Sequence, residues 1–232
     1  MKSDQPNTAL LVFSLSAERE ISRKSIFDTA NRKAHVALFN VLIEQTKKMA
    51  SQSGIDIFWI DEHQQTGNDF STRFTNAFQR LFDAGYDNVV SIGNDSPDLT
   101  IQLLQEAIQK IASRKMVIGP SNDGGIYLFG LNEEFFDKKE LQGLPWQTSF
   151  LFNGLKDYIN AQNIDVEILP ELKDIDTLED LVDYTVSNPT TILSMLFMVI
   201  KATMKSVSDT AHDFVLSLFK PLYVGLRAPP VV

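Results

Sequence analysis

An open α/β fold built on a mainly parallel sheet is predicted by three observations. Short apolar runs of strand length alternate with segments of helical spacing from Ala9 to Leu169. The first of these, Ala9–Ser14, the helical Ala30–Ser53 and Ile55–Ile60, read as β-α-β, which calls for a parallel, right-handed crossover. Strand, acidic loop and helix then succeed one another across Asp87–Ala112. That loop, Ser91–Thr100, reads S-I-G-N-D-S-P-D-L-T and leaves the carboxyl end of a strand, where open α/β sheets collect their ligands.

The elements follow in order. Ala9–Ser14 is apolar enough for a buried central strand. The loop after it, Ser16–Ser25, holds no glycine, so its backbone N–H groups are hindered from close approach to phosphate. Arg19, Arg23 and Lys24 are its cations, and it reads either as a ligand contact or as a solvated charged turn. Ala34, Leu38, Val41 and Leu42 share one helical face, and Gly54 ends that helix. The polar loop Asp61–Phe70 contains Gln65 and leads into a helix over Ser71–Ala84, with Phe74, Ala77, Phe78 and Leu81 on its apolar face. Arg73 lies in the first turn, against the helix dipole, and so calls for a partner. That partner is a surface carboxylate, a site carboxylate or a phosphate.

In the acidic loop, Gly93 lets the backbone turn and Pro97 stiffens the stretch between Asp95 and Asp98. Two carboxylates there suit Mg²⁺ or Mn²⁺ holding a substrate diphosphate. Asp98 reads equally as the cap of the helix that follows. Lys115–Gly119 and Ile126–Gly130 are strands joined by Pro120–Gly125. Asp123-Gly124-Gly125 there is both a hairpin signal and a way to bring backbone close to a ligand. Asn132–Lys138 is a short acidic segment, Phe150–Asn160 a helix, and Ile164–Leu169 a strand ended by Pro170. Thr177 and Asp180 form a capping-box-like pair, which leaves Asp176 to face the site.

A chain of 232 residues, 44% hydrophobic and 22% charged, fits one α/β domain over 1–189 with an appendage over 190–232. Absence of cysteine excludes disulfides, thiolate metal sites and a cysteine nucleophile, and the three histidines have no zinc spacing. A net charge of −9 argues against a nucleic-acid partner, and an anionic nucleotide would need a metal or local cations. No signal-peptide apolar region stands at the N-terminus, so the cytoplasm is the expected location. Ile192–Ile200 is almost wholly apolar but too short for a transmembrane segment. Apolar residues from Ile192 to Leu218 step by three or four, predicting a helix over Thr190–Phe219, broken at most once. The tail carries +2 against −11 for the rest, and it packs on its own domain, forms a homodimer through 190–219, or lies on a membrane surface.

Several of these stretches resemble one family. Gly93–Thr100 is similar to the G-S-D-C-P-D-L-T loop of the DUF2064 family, glycosyltransferase-A-like proteins of the nucleotide-diphospho-sugar transferase superfamily. Ile118–Leu131 resembles its L-G-P-x-x-D-G-G-Y-Y-L-I-G-L, and Gln65–Phe74 its Q-x-G-x-D-L-G-x-R-M. Pro145–Thr148 resembles P-W-S-T, and Asp174–Leu181 resembles D-V-D-T-P-E-D-L. The match is collinear from Gln65 to Leu181. One departure stands out: the family's A-P-x-P-G-x-V-K-T-R-L is replaced by a stretch without Pro-Gly that keeps only Arg23-Lys24.

The resemblance implies a three-layer α/β/α fold of the glycosyltransferase-A type. It also implies a divalent metal, Mg²⁺ or Mn²⁺, at Asp95 and Asp176, and a nucleotide sugar or nucleoside triphosphate at the strand tips. Asp95 and Asp123 are then the catalytic candidates. Arg23, Lys24, Gln65, Arg73, Gly93, Asp98, Gly124 and Gly125 are the substrate-binding ones. Metal-dependent glycosyl transfer is the expected activity, with nucleotidyl transfer or a non-catalytic binding role as alternatives.

Overall fold

The computed structural model describes residues 7–24, 26 and 32–205. The chain forms two compact units, Met1–Leu181 and Val182–Val232. The first is built on one six-stranded sheet in the order β2-β1-β3-β5-β4-β6. Its strands are β1 (Thr8–Phe13), β2 (Asp56–Ile60), β3 (Asn88–Ile92), β4 (Met116–Pro120), β5 (Ile126–Asn132) and β6 (Val166–Ile168). β1 pairs in parallel with β2 and β3, and β4 with β6, while β5 runs antiparallel to both β3 and β4. The sheet is therefore mixed and mainly parallel, the single reversal arising at the Asp-Gly hairpin between β4 and β5.

Helices of the first unit are α1 (Ala17–Glu20), α2 (Arg32–Ala50), α3 (Phe70–Asp83), α4 (Ile101–Ala112), α5 (Lys138–Gln142) and α6 (Leu151–Gln162). Two hydrophobic clusters, one on each face of the sheet, make three layers. On one face Leu10, Val12, Val90 and Val117 pack with Leu104, Ala107 and Ile111 of α4 and with Ala50 of α2. On the other, Leu11, Val89, Ile118 and Phe129 pack with Phe74, Phe78 and Leu81 of α3 and with Leu155 and Ile159 of α6. Alternation along the strands makes this possible: neighbouring residues point to opposite faces, and both faces are covered. Phe74, Phe78, Phe129 and Trp146 form a chain of ring contacts at 4.8–6.4 Å within that second cluster.

Local chemistry sets the element ends. Asp69 caps α3 by accepting from the Thr72 N–H, and Thr100 caps α4 by accepting from Leu103. Asp98 is therefore not the cap of α4. Gly85 takes positive φ just past α3, whereas α2 ends at Ala50, four residues before the positive-φ Gly54 that the sequence marks as its end. The helix α5, not expected from the sequence, is started by Asp137, whose carboxylate accepts from Lys139 and Glu140, and is held by buried Leu141. The expected helix start at Ala30 lies outside the described residues.

α7 (Leu178–Ser187) runs across the division between the units, and α8 (Ile192–Lys205) follows it in the second. Asn188 joins the two helices: its carbonyl accepts from Thr191 Oγ1 at 3.1 Å and from Ser194 Oγ at 2.6 Å. Along α8, Leu193, Leu196, Phe197 and Ile200 are buried, whereas Ile192, Met195 and Met198 are about half exposed. The almost wholly apolar stretch Ile192–Ile200 thus has a buried and an open face. Residues of the expected helix beyond Lys205 lie outside the described residues. Among those described, no helix is long and apolar enough to cross a membrane.

Candidate functional site

Strand order places a switch point between β1 and β3. The chain leaves β1 for β2 on one side and returns to β3 on the other, so the loops after β1 and β3 diverge and leave a crevice. β4 runs parallel to β3 and to β6, so the β4–β5 hairpin and the segment after β6 reach the same edge of the sheet. Every site candidate named from the sequence lies on a segment at this carboxyl edge.

Three of them meet. Lys24, from the loop after β1, donates to Asp95 Oδ2 at 2.6 Å, 71 residues away in the loop after β3. Its Nζ also lies 2.6 Å from Asp176 Oδ1 and 3.4 Å from the Ile175 carbonyl oxygen. The Lys24 side chain is 16% exposed, against 30% for Asp95 and 43% for Asp176, so the ammonium sits beneath the two carboxylates. The Ile175 N–H donates to the Asp95 carbonyl at 2.9 Å, which locks the two acidic loops together. Gly93 makes room for this: a Cβ on it would stand 2.8 Å from Asp95 Oδ1.

Electrostatics follow from the geometry. Burial alone would lower the Lys24 pKa, but Asp95, Asp176 and Glu20 outweigh it and hold the ammonium above the ordinary lysine range. Burial likewise acts to raise Asp95, and the charge and hydrogen bond of Lys24 overcome it and keep Asp95 ionised below the usual range. Two further acids, not singled out from the sequence, adjoin the cluster. Burial and then the Asp95 charge push the Asp174 carboxyl up to about 7, although Ser96 donates to it and Lys24 opposes the rise. Burial also raises Glu20. Lys24, with exposed Arg23 beside it, is the cation that Asp95 and Asp176 share. Asp174 was visible in principle: residues i and i+2 of an extended segment share a side, and Asp174 and Asp176 flank buried Ile175. Glu62, also unforeseen, fixes the start of α1 by accepting from the Ser16 N–H and hydroxyl.

Other candidates take different places. Asp123 is exposed on the β4–β5 hairpin, where its Oδ1 accepts from Ser121 Oγ at 2.6 Å and from the Gly125 N–H at 2.9 Å. Gly124 is required there: its φ is +87° and a Cβ would lie 2.1 Å from the Ser149 carbonyl oxygen. Gln65 turns inward and donates to the carbonyls of Ser14 at 2.8 Å and Ile60 at 3.3 Å, tying the ends of β1 and β2. Arg73 stays at the first turn of α3, where its charge helps Asp69, already lowered by the hydrogen bonds of Thr72 and Ser71, remain ionised. Among the described residues, no hydrogen bond or ion pair joins Gln65, Arg73 or Asp123 to the Lys24 cluster. Asp98 is half-buried in the acidic loop, and burial raises its pKa.

Mg²⁺ or Mn²⁺ at Asp95 and Asp176 can be tested against this donor set. Mg²⁺ holds its oxygens at about 2.0–2.1 Å and wants an octahedron of them. Here the two carboxylates are turned onto one ammonium at 2.6 Å each. Among the described residues no group of three or more His, Asp or Glu is arranged to hold a metal ion. With Lys24 in place, the residues do not fit a divalent cation.

Comparisons bear on the fold and the family. No curated protein matches the chain. A crystal structure provisionally named a nucleotide-diphospho-sugar transferase, from Desulfovibrio desulfuricans G20, aligns with a TM-score of 0.74 at 22% identity. The alignment covers 85% of this chain and 96% of that one, and it shows a shared fold. The Rv0371c protein of Mycobacterium tuberculosis H37Rv in complex with manganese aligns at a TM-score of 0.43 and 13% identity, covering 78% and 99% of the two chains. A 4-diphosphocytidyl-2C-methyl-D-erythritol synthase from Anaerococcus prevotii DSM 20548 aligns at 0.49 and 8%, covering 79% and 99%. The family model for DUF2064, described as an uncharacterized protein conserved in bacteria, matches residues 29–148. That stretch carries the Gln65–Phe74, Gly93–Thr100, Ile118–Leu131 and Pro145–Thr148 motifs and stops short of Asp174. It is more than half of the 232 residues, and the chain belongs to the DUF2064 family.

Proposed function

We propose that the carboxyl edge binds the phosphates of a nucleotide-activated sugar and that the chain is a glycosyltransferase-like transferase. One observation carries the reading: a half-buried lysine from the loop after β1 meets two carboxylates from the loops after β3 and β6, at the switch point where open α/β sheets take their ligands. Near charge balance lets this acidic protein accept an anion there. Lys24 and Arg23 are the cations that would face phosphate charge, and the raised Glu20 and Asp174 add less repulsion than ordinary carboxylates.

In glycosyl transfer, the bond from the sugar to the phosphate oxygen breaks and a nucleoside diphosphate leaves with the electron pair. An acceptor oxygen takes the sugar carbon and gives up its proton. In this reading Lys24 and Arg23 stabilise the leaving diphosphate by positive charge held beside it. Asp123, oriented by Ser121 and Gly125, is assigned as the base that takes the acceptor proton. Nucleotidyl transfer would use the same charges on a phosphoanhydride. Binding without turnover is favoured by a different observation: Lys24 already has three oxygen partners for its three protons.

A thermal-shift screen of nucleoside diphosphates, triphosphates and nucleotide sugars tests the reading, since a ligand of the native state raises Tm. A rise with one nucleotide class that is lost in Lys24→Met is expected. No rise with any of them overturns the proposal. Release of nucleoside diphosphate, of inorganic diphosphate, or of neither then separates glycosyl transfer, nucleotidyl transfer and binding alone.

A further inference from the structure

The resemblance calls for a divalent cation at Asp95 and Asp176, and the structure puts a side chain there. Both carboxylates direct one oxygen to the same Nζ at 2.6 Å, and the Ile175 carbonyl completes three acceptors at 3.4 Å. That is the stoichiometry of an ammonium, with three donors and no acceptor. It differs from the shorter, six-oxygen shell of Mg²⁺. The lysine is also fixed from behind. Its own N–H donates to the Glu20 carbonyl at 2.9 Å, and its side chain is the most buried of the three. Of the two further acids beside the cluster, Glu20 and Asp174, the latter is turned to Ser96. A divalent ion placed between Asp95 and Asp176 would stand against the ammonium, and that repulsion is strong at short range away from bulk water.

We infer that Lys24 is the resident cation of the Asp95–Asp176 pair and excludes a divalent metal from it. Lysine and metal are alternative occupants of one place. The charge that a metal ion would bring to a diphosphate is supplied in this chain by side chains, Lys24 first. The inference concerns the cation alone and holds whether or not a nucleotide binds.

Mn²⁺ without nucleotide is the probe, titrated into the full chain and followed by the electron paramagnetic resonance of free Mn²⁺. Wild type and Asp95→Asn should bind it equally weakly. Lys24→Met frees two carboxylates and should bind at least about tenfold more tightly, a gain lost in Lys24→Met with Asp95→Asn. Thermal unfolding gives a second readout: Mn²⁺ should raise the Tm of Lys24→Met and leave that of wild type unchanged. If Lys24→Met proves unfolded without metal, the wild-type and Asp95→Asn titrations still decide. Mn²⁺ binding by wild type that depends on Asp95 overturns the inference. So does a folded Lys24→Met that gains no Mn²⁺ binding, because the pair would then be no metal site for Lys24 to close.

Discussion

The carboxyl edge carries two acidic features of opposite construction. Asp123 is held by its own turn, through partners two residues away at Ser121 and Gly125. Asp95 is held by Lys24, 71 residues earlier, and shares it with Asp176 from a third loop. A carboxylate of the first kind depends on backbone shape. One of the second kind depends on a charge balance that exists only when the sheet is assembled. Substitutions should therefore act through strain at the hairpin and through electrostatics at the Lys24 cluster.

The largest expected effect is on the hairpin backbone. Gly124→Ala places a Cβ at φ +87°, 2.1 Å from the Ser149 carbonyl oxygen. Strain and clash together should remove at least about 2–3 kcal/mol of stability, read as a fall in the denaturation midpoint. A change near zero would mean that the Ser149 segment moves away freely.

At the Lys24 cluster, Lys24→Met leaves Asp95 and Asp176 facing each other. Breaking a fully buried pair costs more, but these carboxylates are partly solvated, so a loss of about 2 kcal/mol is expected. The loss should shrink when Asp95→Asn is added, because the repelling partner is gone. Equal losses in the single and double variants would show that Lys24 acts through packing instead of charge.

Asp174 gives a pH signature that the hairpin lacks. Its carboxyl is raised to about 7 in the folded chain, against about 3.9 when unfolded. Between these values the folded state binds the extra proton, so this group makes stability fall as pH rises from about 4 to 7, with no further change above. Asp174→Asn should flatten that limb, and the gain over wild type should grow with pH up to about 7. Urea unfolding at intervals across this range reads it. A difference independent of pH would place Asp174 in an ordinary environment.

The smallest expected effect on stability is at Asp123. Asp123→Asn keeps an oxygen for Ser121 and Gly125, so stability should change by less than about 0.5 kcal/mol while turnover falls. Unchanged turnover on an identified acceptor would remove Asp123 as the base.

Much of the fold was legible in the sequence because it rests on local patterns. The six strands overlap the strand-length runs read from the sequence, and α3 and α4 announce themselves by their period. The Thr177–Asp180 capping pair forms as read, with the Thr177 N–H donating to Asp180 at 2.9 Å and the Asp180 N–H to Thr177 Oγ1 at 3.2 Å. What was not legible depends on burial or distance. α5 is one turn and a half, too short for a period. Gln65 sits in a family-like motif, yet its amide closes the backbone between β1 and β2. Lys24 stands in a stretch that reads either as a ligand contact or as a solvated charged loop, and nothing in its neighbours says that it reaches Asp95 and Asp176.

Calorimetric titration of the metal-stripped protein, in the presence of a chelator, tests the central claim most directly. The ligands are a nucleoside diphosphate series and the corresponding nucleotide sugars, and the proteins are wild type and Lys24→Met. The account predicts that wild type binds one of these without metal and that Lys24→Met binds it at least about tenfold more weakly. Binding by wild type only when Mg²⁺ or Mn²⁺ is restored, or binding that Lys24→Met leaves unchanged, would contradict it.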